Sequence, residues 1–397
     1  MFKWYKNIGP GTLVAAAFIG PGTVTMCTIA GARFGFALLW AMVLSIFATI
    51  FLQEMAARVG IITQKDLAAV IREQISSPLL KKLAVLLILG AIVIGNTAYE
   101  AGNISGAALG LTAIFGASFT SYYPIIIGGI AFVLLSFGNY KILERSLIAL
   151  VLLMSFSFII SAIITKPDII ALLKGMFIPS IPPESTLIII GIIGTTVVPY
   201  NLFLHASLVN EKWKKASDLS FARKDLVISI IVGGIISIAI IISAASISGE
   251  GINTVLDLTK GLEPLYGSIA KYFLGIGLFA AGITSAITAP LAAAYVARSC
   301  FGWEKNLKDI KFKLVWAGIL VLGILFSSLD FKPIKIITFA QIANGLLLPI
   351  VAIFLLWLVN KAAVLGKYKN TNIQNIVSAL IIFITIILGI KGILNAF

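Results

Sequence analysis

Acidic residues are scarce in this chain. Asp and Glu number 16 among 397 residues, against 30 Lys and Arg, and histidine occurs once. Charged residues reach only 12% of the total, too few to coat a water-soluble domain of this length. Cysteine is nearly missing too. Cys27 and Cys300 lie far apart in sequence, so no metal-ligand spacing and no disulfide framework exists. Nor is there a phosphate-binding loop or a nucleophile–base pair. Enzyme activity and a bound cofactor therefore have no support in the sequence.

Apolar residues make up 59% of the chain, in runs that recur from end to end. A run of about 20 such residues crosses a hydrocarbon core of roughly 30 Å. The runs are uncharged and lack period-2 alternation, which excludes a β-barrel. An all-α polytopic membrane protein is expected. The net charge of +14 does not indicate nucleic acid, because no basic stripe interleaves with aromatics; Lys and Arg sit in short loops.

Eleven spans are expected, near 10–32, 36–58, 83–113, 122–138, 146–164, 186–209, 226–248, 269–297, 313–328, 334–359 and 374–395. Residues 1–20 mimic a signal peptide, but the apolar run continues past Gly22 and reads as an uncleaved first span. Residues 65–76 read as a short polar-faced helix, and the proline-bearing stretch 166–185 as an external loop. A cytoplasmic N-terminus places roughly 22 of the 30 Lys and Arg inside, and an odd span count then leaves the C-terminus outside. The whole of 1–397 reads as a single transmembrane domain. Its parts are a first repeat at about 10–164, an inverted second repeat at about 186–359, and an extra span at about 374–395.

Two of the spans are interrupted in mid-membrane, at Gly20-Pro21-Gly22-Thr23 and at Val198-Pro199-Tyr200-Asn201. Paired breaks in corresponding positions of two halves point to a binding site. Neither break carries a carboxylate, a thiolate or a thioether. The backbone carbonyls of Gly20 and Thr195, with the hydroxyls of Thr23, Thr195 and Thr196, offer hard oxygen, which suits Mg²⁺-like cations better than soft metals. The alternative is a pair of proline kinks with no ligand.

Glu100 falls in the middle of the third span, where it either attracts a cation, carries a proton or serves as a structural carboxyl. His205 follows Pro199 in the sixth span, as a proton relay or a structural ring. Gln341 and Asn344 in the tenth span either line a cavity or bind helices together. Glu54 and Arg58, one turn apart, read as a structural pair.

The run from Gly9 to Thr23, GPGTLVAAAFIGPGT, is followed by Ala30-Gly31-Ala32 and Phe34-Gly35. Later come Gln53-Glu54-Met55-Ala56-Ala57-Arg58, Lys65-Asp66-Leu67-Ala68, Pro199 to His205, and Ala340-Gln341-Ile342 with Leu348-Pro349. Together these resemble the NRAMP family of metal-ion transporters over nearly the whole length. The resemblance implies a LeuT-type fold with a 5+5 inverted repeat, eleven transmembrane helices, and spans 1 and 6 broken. It implies alternating access and a divalent metal cation as cargo.

The departures fall at the chemistry. Gly20 and Thr23 stand where the family has the aspartate and asparagine of Asp-Pro-Gly-Asn. Thr195, Val198 and Tyr200 stand where it has the alanine, methionine and first histidine of Ala-x-x-Met-Pro-His. Asn103 replaces an acid, while Glu100 appears at an acidic proton-pathway position. The expected substrate-binding residues are Gly20, Thr23, Thr195, Val198 and Gln341, with Glu100 and His205 attracting cation or coupling transport. The partners expected are a metal cation or a small organic solute, protons and the lipid bilayer of a bacterial inner membrane. No obligatory protein partner and no nucleic acid is expected. A non-transporting receptor on the same fold is the third reading.

Overall fold

The computed structural model describes residues 19–137, 141–247, 252–304, 306–329 and 331–396. The first half of the expected first span, residues 10–18, lies outside the described residues, as do Lys305 and the span-end residues 138 and 248.

Helices dominate the described residues. They are α1 (Pro21–Phe34), α2 (Leu39–Thr63), α3 (Leu67–Gln74), α4 (Pro78–Phe115), α5 (Tyr123–Phe137), α6 (Lys141–Ile164) and α7 (Ile169–Phe177). Then follow α8 (Thr186–Thr196), α9 (Pro199–Lys212), α10 (Leu219–Ala245), α11 (Ala270–Phe301), α12 (Ile310–Ser327), α13 (Pro333–Val359) and α14 (Asn372–Ala396). Nine stretches among the described residues are long and apolar enough to cross a membrane, with α8 and α9 counted as one. The expected fourth span appears as the 15-residue α5, and the expected first span is represented by α1. The stretch read as a loop over 166–185 instead holds α7, capped by the Asp168 carboxylate, which accepts from Ile170 N at 2.9 Å and Ala171 N at 3.3 Å.

Local chemistry sets the helix ends. Proline opens α1, α4, α9 and α13, where its missing N–H is no loss and its φ is already helical. Ser77 caps α4, and Gly116 closes it at φ 84, a left-handed value that a side chain disfavours. The helices that follow the two marked breaks start in the same way. Gly20 (φ −105, ψ −175) and Val198 (φ −79, ψ 123) are extended residues, each followed by a proline that starts a new helix.

The 38-residue α4 runs through the middle, packed on α11, α13, α12 and α5. Lipid tails are as apolar as leucine, so close backbone approach must supply the packing energy. Small residues provide it. A Cβ on Gly282 of α11 would lie 2.6 Å from the Ala107 Cβ of α4. A Cβ on Gly194 of α8 would overlap the Gln341 carbonyl of α13. The outer faces carry large apolar side chains, among them Phe137, Ile163, Leu325 and Ile376, which water would not tolerate in such number.

Candidate functional site

The two breaks meet. Thr23 Oγ1 on α1 and Thr195 Oγ1 on α8 are 2.7 Å apart, although 172 positions separate them in sequence. Both residues are buried. The helices run antiparallel, because Arg33 at the far end of α1 pairs with Glu184, just before the start of α8, at 3.0 Å. Pro199 has no N–H to offer the Thr195 carbonyl.

The Gln341 side chain reaches across from α13. A Cβ on Gly22 would overlap its carboxamide, so the missing side chain at Gly22 gives that group its place. Gln341 Oε1 has no partner in the protein, nor do both polar side-chain atoms of Asn201 or Asn344 Nδ2. Buried polar groups without partners are costly, and such a concentration fits a place where a ligand or water completes the bonding.

The other expected residues are dispersed. The Gly20 carbonyl accepts the Val24 N–H at 3.2 Å, so one of its lone pairs serves the helix. Val198 is buried and its side chain offers no donor atom; its carbonyl accepts Asn201 N at 3.0 Å. Glu100 is fully buried but turns toward α12, where a Cβ on Gly323 would lie 3.0 Å from the Glu100 Cβ and overlap its Cγ. Its Oε2 accepts from Asn103 Nδ2 at 3.4 Å, and Oε1 has no partner. His205 lies on α9 below the break, buried, with both ring nitrogens unpartnered. The Tyr99 and Tyr200 rings meet edge to face at 5.6 Å, tying α4 to the start of α9.

Among the described residues, one end holds an open cavity and the other is tied together by polar contacts. A cavity of about 660 Å³ lies where α1 ends and α8 and α13 begin, lined by Ile29, Arg33, Ile188, Asn253, Lys335 and Ile342, among others. At the opposite end Asp66, which precedes α3, accepts from Ser299 Oγ at 2.8 Å, Arg298 Nη2 at 3.2 Å and Asn210 Nδ2 at 3.5 Å. These bonds tie α3 to α9 and α11. Burial alone would raise the Asp66 pKa, but the Ser207 and Ser299 hydroxyls and the Arg298 guanidinium outweigh it and hold the carboxyl below the usual range. On α2, Glu54 bridges Arg58 at 3.0 Å and Arg223 of α10 at 2.7 Å.

Sequence reasoning missed Met26. It is fully buried, three residues beyond Thr23 on the same face of α1. The helix-face spacing of Thr23, Met26 and Ile29 was the signal that could have found it. No group of three or more His, Cys, Asp and Glu that could hold a metal occurs among the described residues.

Comparison with known proteins agrees with this architecture. The divalent metal cation transporter MntH of Bradyrhizobium diazoefficiens is 29% identical, over 98% of this chain and 90% of that protein. A manganese transporter of Eremococcus coleocola superposes with a TM-score of 0.77 at 21% identity, covering 99% of this chain and 88% of that one. Mhp1, a nucleobase-cation-symport-1 family transporter, does so with a TM-score of 0.56 at 13% identity, covering 98% and 93%. The fold is therefore LeuT-type and all-α, and the protein is a multi-pass membrane protein. Residues 11–395 match the family described as natural resistance-associated macrophage protein-like, and the chain belongs to that family, Nramp.

Proposed function

We propose that this protein is a secondary transporter that moves a divalent metal cation by alternating access around its two breaks. The Thr23–Thr195 hydroxyl pair carries this reading, because it joins the two interrupted elements at one buried point beneath an open cavity. Hydroxyl, carbonyl and carboxamide oxygens are hard ligands, so Mg²⁺ is the favoured cargo over Mn²⁺ or Fe²⁺. Glu100 faces α12 and leaves no fixed carboxylate at the crossing. A cation there keeps part of its hydration, since bare divalent charge in low dielectric is prohibitive without compensation. Transport is expected to proceed without an obligatory proton.

The proposed frame has two inverted repeats, at about 10–164 and 186–359, with α14 as an addition. We read the Asp66 end as the cytoplasmic one in a bacterial cell, because Lys65, Arg72, Lys212, Lys214, Lys215, Arg223 and Lys224 lie on or beside its elements, the bias expected of inner loops.

Purified protein in sealed liposomes tests the cargo, with Mg²⁺ and Mn²⁺ compared with and without a proton gradient. Saturable Mg²⁺ uptake that changes less than about twofold with the gradient is expected. Thr23→Val and Thr195→Val should each lower it about fivefold, the worth of one lost hydrogen bond. Mn²⁺ uptake that excludes Mg²⁺ would overturn the hard-cation reading. The second reading is a small organic solute, favoured by the absence of a carboxylate at the crossing. Solute uptake with no uptake of either metal would establish it.

A further inference from the structure

The seam between α1 and α8 has three rungs. Thr23 meets Thr195 at 2.7 Å. One turn toward the cavity, Met26 lies over Gly191. A Cβ there would overlap the Met26 methyl and come within 3.2 Å of its sulfur and 3.7 Å of Ile342 Cγ1. One turn further, Ile29 and Ile188 line the cavity wall. The Met26 side chain therefore stands between the open cavity and the hydroxyl pair, and it is fully buried. Ile342 backs it from α13, next to Gln341.

We propose that Met26 is the gate residue of this pathway, the side chain that must swing aside before a solute in the cavity reaches the Thr23–Thr195 pair. The claim rests on the reading that this pair marks the transport site. Three features suit Met26 to the role. Methionine is unbranched, with three rotatable bonds, so it changes rotamer without moving the backbone. Gly191 has no side chain to lock it in place. Its tip is a polarizable thioether, which a passing cation can touch with less penalty than a hydrocarbon. The gate contains no charge and no titratable group, so its opening does not depend on a proton.

Accessibility to a small charged methanethiosulfonate reagent tests the gate without assuming any cargo. The two native cysteines, Cys27 and Cys300, are first replaced by alanine. Single reporters are then introduced as Ile188→Cys in the cavity wall and Thr195→Cys behind Met26. With Met26 present, Thr195→Cys should react about tenfold more slowly than Ile188→Cys, and Met26→Ala should bring the two within about twofold. Equal rates with Met26 in place would overturn the proposal, as would a Thr195→Cys reporter that stays slow after Met26→Ala.

A second measurement uses the chain with its cysteines intact, in case their removal prevents folding. In liposome uptake of Mg²⁺, Met26→Leu, of similar size but branched, should slow transport about fivefold with half-saturation unchanged. Met26→Ala should not slow it, whereas a merely structural role predicts slowing by both. Slowing by both variants alike would sink the gate. If accessibility behaves as described but no metal is taken up by the unaltered protein, the gate stands and the metal reading fails.

Discussion

Single side chains hold helices of this molecule together. Asp66 ties α3 to α9 and α11, and its depressed pKa gives the bond a defined pH range. A carboxyl whose folded pKa lies below its unfolded value of about 3.9 stabilises the folded, closed arrangement fully above that value. The contribution is lost only as pH falls below about 4, so neutral pH never releases it. Asp66→Asn at neutral pH should cost about 3 kcal/mol, because Arg298 stays buried without its counter-charge. Thermal unfolding in detergent at pH 7 checks the loss, and an unchanged midpoint would refute it. The sequence showed Asp66 only as part of a short polar-faced helix and of the Lys65-Asp66-Leu67-Ala68 run, with no partner assigned. Arg298 and Ser299, its partners, lie more than 230 positions away, and no spacing rule links residues so distant. Thr23 and Thr195 were legible because each adjoins a proline break. Met26 was not, because its spacing from Thr23 and Ile29 marks a shared helix face but does not separate a gate from core packing.

The helices show the same contrast. Apolar run length and proline position made most of them readable, and the two breaks lie at the prolines the sequence marked. The stretch over 166–185 was read as a loop because four prolines dominate it. The nine residues of α7 fit between Pro167 and Pro179 with an aspartate cap, a pattern too short to compete with that signal. Packing partners were not readable at all. The approach of α8 to α13 depends on Gly194, where a Cβ would overlap a backbone carbonyl that cannot move aside. Gly194→Ala should lower stability by about 2 kcal/mol or more, through overpacking. Gly318 of α12 is the control, since no atom lies within 4 Å of a Cβ placed there. Gly318→Ala should be neutral or stabilising by about 0.5 kcal/mol from helix propensity alone. Equal unfolding midpoints for the two variants would show that the α8–α13 contact is loose.

For the whole molecule, the separation of charge predicts how it sits in the bilayer. Basic residues gather around the Asp66 end, while the cavity end carries fewer, Lys166, Lys174, Lys332 and Lys335 among them, with Arg33 paired to Glu184. A membrane-impermeant amine reagent applied to intact cells should modify Lys335 and spare Lys214 and Lys308. The reverse pattern would invert the proposed orientation. The length of α4 has a separate consequence. Its 38 residues rise about 57 Å, nearly twice the hydrocarbon thickness of about 30 Å. Such a rod must lean or project, and its early residues Leu79, Leu80, Leu83 and Leu86 are all exposed. Hydrophobic mismatch would then act directly on the helix that carries Tyr99, Glu100 and Gly106, where an added Cβ would overlap the Pro21 ring. Acyl chain length thereby becomes a control on the transport cycle, exerted through the tilt of one helix.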